Sequence, residues 1–292
     1  MNNIKCILLC ARVNFRKWRA NPRVCVLFLI TVIFHYYTFS CGPAVCRYLN
    51  MEIAPWVFPF FLGHPSMSLF YGGAAILLYS DAPFADSHTP FLLARAGGRN
   101  WILGQLVYLT ASSLLYTLFH VAASVAMLIP YVSFSADWGQ VLRIMANNED
   151  IFLRAGVTGA GFWPSPELLD AMSPLQAMGW SVLLFWLCCL FLGTVVFCFN
   201  LCVGGMSGVA AGAFLTVFAY FAIYVGPLSF GNAIRFVSPV YWSCLGHTDW
   251  LGTGFAPTPG GAVAAYLAMV ALLSLVSVIV FCKRDFTAQP GR

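Results

Sequence analysis

The chain has 292 residues, 60% of them hydrophobic and only 9% charged, with a mean hydropathy of +0.81. Soluble domains carry roughly 25% charged residues, so the composition excludes a soluble fold and points to an all-α polytopic membrane protein. The net charge of +5 is small and divided among segments, which reads as a topology signal and not as nucleic-acid binding.

Residues 1–23 carry Lys5, Arg12, Arg16, Lys17, Arg19 and Arg23 and no acid. Ile4, Leu8, Ala11, Phe15 and Trp18 recur at helical spacing, and Lys5, Arg12, Arg16 and Arg19 follow the same period one position on. That pattern predicts an interfacial helix over 4–20, apolar side in the membrane lipid and basic side on its anionic headgroups. Asn21-Pro22 ends it. No A-x-A site follows and Thr38-Phe39-Ser40-Cys41 lacks a lipoprotein leucine, so cleavage of a leader is not expected.

Apolar runs predict six spans, at 24–40, 55–80, 101–130, 178–199, 207–227 and 262–282. Residues 41–54 read as a polar excursion. The second span begins raggedly, with Pro55, Pro59, Gly63 and Pro65 breaking its first half, so its helical part is expected from about Ser66. Between the second and third spans lies a polar, basic island over 81–100. Thr89 is its expected N-cap and Pro90 its first helical residue, followed by the apolar face Phe91, Leu92 and Leu93 and then by Arg95, Arg99 and Trp101.

The largest loop, 131–177, holds Asp137, Glu149, Asp150, Glu167 and Asp170. One short helix over 137–146 and a rigid turn at Trp163-Pro164-Ser165-Pro166 are predicted in it. Residues 228–261 are punctuated by Pro239, Pro257 and Pro259, apolar enough to dip into a membrane and too broken to cross it. Trp242 and Trp250 are its expected interface anchors. No repeat or linker divides the chain, which reads as one transmembrane domain. With the N-terminus inside, eleven of the fifteen basic residues lie on the cytoplasmic side, and Arg47, Arg143, Arg154 and Arg235 outside. Both termini and the island are then cytoplasmic.

Chemistry-bearing motifs are sparse. The three lysines Lys5, Lys17 and Lys283 follow no G-x-x-x-x-G pattern, so the chain has no P-loop, and any ATP is handled by a partner. Most of the eleven cysteines sit in or beside apolar segments as small hydrophobes, and none has a zinc spacing. A Cys41–Cys46 disulfide is left open. Gly204, Gly208 and Gly212, four apart, form a small-residue face for helix packing, within the chain or across a dimer. Gly205-Met206-Ser207-Gly208 matches the G-x-S-G of rhomboid-type intramembrane serine proteases. Its base would have to be His247, in a loop on the opposite side, and an enzyme is not expected. His35 and His120 lie at span depth and are expected as neutral side chains bonded to neighbouring helices. No Asp, Glu, Lys or Arg lies inside a span, which argues against a proton- or sodium-driven carrier.

The order of parts resembles the permease subunit of a type-2 ABC exporter, the ABC-2 membrane family in its small bacterial form. Residues 4–20 correspond to that family's elbow helix, Pro90 to Trp101 to its cytoplasmic coupling helix, and 228–261 to its re-entrant helices between spans five and six. Asp81-Ala82-Pro83-Phe84, Arg95-x-x-x-Arg99-x-Trp101 and Ser238-Pro239-Val240-Tyr241-Trp242 carry the likeness in wording. The resemblance implies a homo- or heterodimer of permeases in the bacterial cytoplasmic membrane. Two separate ATPase subunits, holding ATP and Mg, would press against the coupling helices, and an amphipathic or hydrophobic cargo would be exported. Phe91, Leu92 and Leu93 would fill a groove on the ATPase and Arg95 and Arg99 would pair with its acids or with lipid phosphate. A non-transporting immunity or assembly factor is the alternative.

Overall fold

The computed structural model describes residues 3–148, 150–159 and 161–283, so Glu149, Arg284 and Arg292, used above for loop charge and orientation, lie outside them. Every named element is helical, and the one β feature among the described residues is an isolated bridge between Ile53 and Val132. Five helical runs are long and apolar enough to cross a membrane: Pro22–Leu49, Gly98–Ala126, Pro174–Cys202, Ser207–Tyr224 and Pro259–Lys283.

Helix α1 (Asn3–Trp18) ends before Asn21, whose side chain accepts from the Arg23 N–H at 3.1 Å and caps α2 (Pro22–Phe39). The expected excursion at 41–54 is largely helical, because α3 (Cys41–Leu49) carries the run on after Ser40. Pro43 falls in the first turn of α3, where a missing N–H costs nothing. Asn50, in the left-handed region at φ 53°, ends it. Cys41 and Cys46 are both free thiols.

The broken stretch after Pro55 folds into the protein around a single 3-10 turn, Phe58–Phe60, with Val57, Phe58, Phe60, Phe61 and Leu62 all buried. That satisfies the rule that irregular backbone at membrane depth must be shielded by protein. Helix α4 (Pro65–Tyr79) then runs 15 residues. At 1.5 Å per residue it is roughly 22 Å long, short of a full span.

Helix α5 (Thr89–Ala96) and α6 (Gly98–Ala126) are separated by Gly97, at φ 78°. Thr89 is the first residue of α5 and not its cap. Its hydroxyl reaches back to accept from the Asp86 N–H at 2.8 Å, while the Asp86 carboxylate accepts from the His88 N–H at 3.0 Å.

The large loop becomes a small helical cap: α7 (Gly139–Asn147), α8 (Asp150–Arg154) and α9 (Pro166–Ala171). It has its own buried side chains, among them Trp138, Leu142, Met145, Phe152, Phe162 and Leu168. One helix was expected there; the hydrophobic spacing in 150–154 and 166–171 is too short to register as periodic.

Helix α10 (Pro174–Cys202) opens on a capping box of Ser173 and Gln176 and is the centre of the bundle, packing against α4, α6, α11 (Ser207–Tyr224) and α14 (Pro259–Lys283). Between α11 and α14 come α12 (Gly226–Phe230), α13 (Ala233–Phe236) and two 3-10 turns, Pro239–Ser243 and Leu245–His247. The Pro239–Leu245 stretch is buried against α10, α11 and α14, and the Tyr266 hydroxyl donates to the Pro239 carbonyl at 2.6 Å. Trp242 is therefore no interface anchor: it is buried and donates to the Arg235 carbonyl at 2.7 Å. Trp250 is half-buried.

The glycine face divides. Gly204 is not in α11 at all but in the preceding turn, at φ 93°. Gly208 and Gly212 are buried inside the chain, Gly208 against the backbone of Val196 on α10 and Gly212 against Ile76 of α4. The two helical glycines thus serve packing within the chain, and no free small-residue face is left at these positions.

Candidate functional site

The base of the bundle, where α1, the 80–88 connection, α5 and the first turns of α6 meet, gathers most of the residues singled out from sequence. Helix α1 packs on α6 at Gly104, where a Cβ would stand 2.5 Å from the Cys10 Cβ and 2.9 Å from the Ile7 carbonyl. Asn14 donates to the Gln105 side chain, and the Trp18 indole N–H donates to the Tyr108 hydroxyl at 2.6 Å. The face of Ala11, Phe15 and Trp18, expected in lipid, therefore leans on the protein, with Phe15 edge-on to Tyr108 at 4.9 Å. Ile4 and Leu8 alone of that face are exposed, as are the basic Lys5, Arg12, Arg16 and Arg19.

Two ion pairs tie this helix and its exit to the connection before α5. The Lys17 ammonium sits 2.9 Å from the Asp86 carboxylate and donates to the Phe84 carbonyl at 2.8 Å. Arg23 pairs with Asp81 at 2.5 Å, and the Asn21 amide donates to the same carboxylate at 3.2 Å. Burial alone would raise the Asp86 carboxyl, but Lys17, the Thr89 hydroxyl and the His88 N–H outweigh it and hold it below the usual carboxylate range. Each pair is partly solvated and contributes on the order of 0–1 kcal/mol. Their effect is positional: α1 and the connection to α5 form one body.

Within α5 the expected docking residues do not behave alike. Phe91 is 70% exposed, and Arg95 and Arg99 are also exposed and outside every ion pair among the described residues. Pro90 lies on the exposed side too. Leu92 and Leu93 are half-buried against the rest of the chain. Trp101, 2% exposed, stacks on Phe281 of α14 at 5.1 Å and is packing, not docking surface. The three-residue apolar face reduces to Phe91, because a helix docked on its own protein must spend part of its apolar stripe there.

No family model, curated protein or solved structure matches the chain.

The serine and histidine of the protease pattern have other partners: the Ser207 hydroxyl donates to the Phe199 carbonyl at 2.9 Å, and the His247 ring stacks on Tyr241 at 4.7 Å. No group of three or more metal-ligating side chains occurs among the described residues.

Two features were not anticipated. One is an apolar groove of about 470 Å³ between α10, α11 and α14, lined by Phe191, Val195, Phe214, Met269 and Leu272 among others. The other is a buried polar cluster joining α2, α4 and α6. The His35 Nδ1 lies 2.7 Å from the Tyr71 hydroxyl, and its Nε2 lies 3.2 Å from the His120 Nδ1 and 3.3 Å from the His120 carbonyl. Phe61 and Phe185 pack around the rings, at 5.1 Å from His35 and 5.2 Å from His120 respectively. The expected bonds of the two histidines to neighbouring helices are present. That the two bond to each other was not visible, since nothing in a sequence pairs position 35 with position 120.

Proposed function

We propose that the chain is the membrane-spanning permease subunit of an ATP-driven type-2 exporter, built as a dimer and powered by separate cytoplasmic ATPase subunits that hold ATP and Mg. The observation that carries this reading is α5. It is an eight-residue helix beside the start of a long apolar helix, with Phe91, Arg95 and Arg99 turned outward and the segment before it tied to α1. A body pushed against that helix would move α1 and α6 together.

In this reading the bundle counts six crossings, with α4 and the buried 55–63 segment together making the second, and both termini lie in the cytoplasm of a bacterium. Residues 226–247 take the place of re-entrant helices. The groove between α10, α11 and α14 suits an amphipathic or hydrophobic cargo.

The test is purification of the full chain, expressed with its native neighbours, in mild detergent and with mass spectrometry of what accompanies it. A soluble subunit bearing a P-loop is expected, and Phe91→Asp should release it while the chain still inserts and stays monodisperse. Phe91 is a cleaner position than Leu92, whose side chain also packs inside the chain. Absence of such a subunit from the wild-type preparation would return α5 to a plain loop helix and favour a non-transporting protein.

A further inference from the structure

The groove between α10, α11 and α14 exists because α11 and α14 both pack on α10 and scarcely on each other. Its floor is one stripe of α10, Phe191, Val195 and Phe199, spaced four apart, and its walls include Ala211 and Phe214 on one side and Leu272 on the other. Every lining side chain is apolar. Phe214 is 66% exposed and Leu272 61%, so the groove opens sideways, away from the bundle. All three helices are long and apolar enough to cross a membrane, and what meets that opening in a bilayer is lipid hydrocarbon.

The groove runs toward the base. Asn200 of α10 donates to the Ala82 carbonyl in the connection there, α11 starts beside Asn200 through the Gly208 N–H, and Phe281 of α14 stacks on Trp101. Lys283 follows Leu272 by eleven residues in the same helix. That is close to three full turns, so Lys283 returns to the face that lines the groove, about 16 Å nearer the base. It is exposed and outside every ion pair among the described residues. Half the hydrocarbon thickness of a bilayer is about 15 Å, so a groove near mid-membrane puts Lys283 at headgroup level. Arg99 is exposed at the same corner, one residue after Gly98, which faces Phe281. The groove is thus greasy along its length and positive at its mouth.

We propose that the groove holds one acyl chain of an anionic phospholipid whose phosphate rests on the Lys283 ammonium. A water-soluble ligand needs a few polar groups to fix its orientation, and the lining offers none. A helix from a second copy seats best on small residues that let backbones approach, whereas the rim is built of Phe199, Phe214 and Leu272. A lipid tail gains no hydrophobic energy by leaving one hydrocarbon for another, so packing in the groove and the charge at Lys283 hold it together. Seated there, the tail gives α11 and α14 the contact that they lack with each other. The site needs only that these helices lie in a bilayer, and it fails separately from the exporter reading.

The full chain is purified in mild detergent, stripped of lipid and titrated with phosphatidylglycerol or phosphatidylethanolamine, and bound lipid is counted by native mass spectrometry. Wild type is expected to hold one phosphatidylglycerol tightly per chain. It should prefer it over phosphatidylethanolamine about fivefold, the attraction of one lysine for an anionic headgroup. Ala211→Phe, which fills the groove from α11, should lose that lipid, and Lys283→Gln should still bind a lipid but lose the preference. No tightly held lipid in wild type, or equal retention by a folded Ala211→Phe, overturns the site. A wild-type dimer that Ala211→Phe breaks while lipid retention is unchanged also overturns it and gives the groove to a second copy. Should Ala211→Phe fail to fold, Lys283→Gln, whose position is exposed, decides. A lost preference then supports the site, and an undiminished one overturns it.

Discussion

Gly208 is where α11 comes closest to α10, and adding one methyl there should be among the costliest small changes in the bundle. A Cβ at this position would fall on the Val196 carbonyl and Cα, backbone atoms that cannot rotate aside. The Gly208 N–H also donates to the Asn200 side chain at 2.7 Å, and Asn200 in turn donates to the Ala82 carbonyl at 2.9 Å. Pushing α11 outward therefore costs overpacking of about 1–3 kcal/mol and a buried hydrogen bond of about 1 kcal/mol. A total near 3 kcal/mol lowers a thermal midpoint by roughly 6–12 °C at this chain length. Gly212→Ala meets side chains and no backbone, Ile76 at 3.0 Å, which can change rotamer, and Val196 at an ordinary 3.5 Å, and should cost under about 1 kcal/mol. Gly204→Ala falls between them, because a left-handed turn position costs an alanine on the order of 1–2 kcal/mol. Thermal unfolding of the three purified variants, followed by tryptophan fluorescence, gives the ranking. Equal losses at 208 and 212, or a Gly208→Ala protein as stable as wild type, would refute the packing argument. Loss of a dimer without loss of stability would return the glycines to an interface between chains.

Two further outcomes follow from the base. Gly104→Val should lift α1 off α6, and the expected sign is faster maleimide labelling of the buried Cys10, followed peptide by peptide so that the exposed Cys25 and Cys282 do not confuse it. Unchanged Cys10 labelling would mean that α1 is held elsewhere. Asp86 is an acid whose pKa is lowered in the fold, so its contribution is present at neutral pH and is lost as pH falls through that lowered value. Asp86→Asn should therefore cost at most about 1 kcal/mol at pH 7, and the gap from wild type should close below about pH 4. A gap that persists in acid would assign the loss to packing and not to the Lys17 pair.

Long apolar runs, the start of α4 and the presence of a helix after Thr89 were all legible in the chain, because each follows from local pattern and from Pro or Gly at fixed places. The errors share one cause. The excursion at 41–54 and Trp242 were read by residue type, yet their roles depend on what lies beside them in three dimensions: one carries the first helical run on, the other lies under α14. Trp101 stacks on Phe281 from the far end of the chain, and Cys10 meets Gly104, pairings that no window of sequence contains. A buried polar row on α6 is different. Its spacing was there to be read at 105, 108, 112, 116, 120 and 124, and was hidden only because an apolar average over the span outweighs six positions.

The unequal burial of the long helices has a consequence for how this chain tolerates change. Of the apolar stretch of α10, 78% is enclosed by other elements, against 11% for α14. Nearly every side chain on α10 has a neighbour on some side whose shape it must match, whereas most of α14 need only be greasy. Over generations the outer helix is free to exchange leucine, isoleucine, valine and phenylalanine almost at will, while the central one can alter only in step with its surroundings. Two descendants of this sequence could thus look unrelated along α14 and still share the same post through the middle.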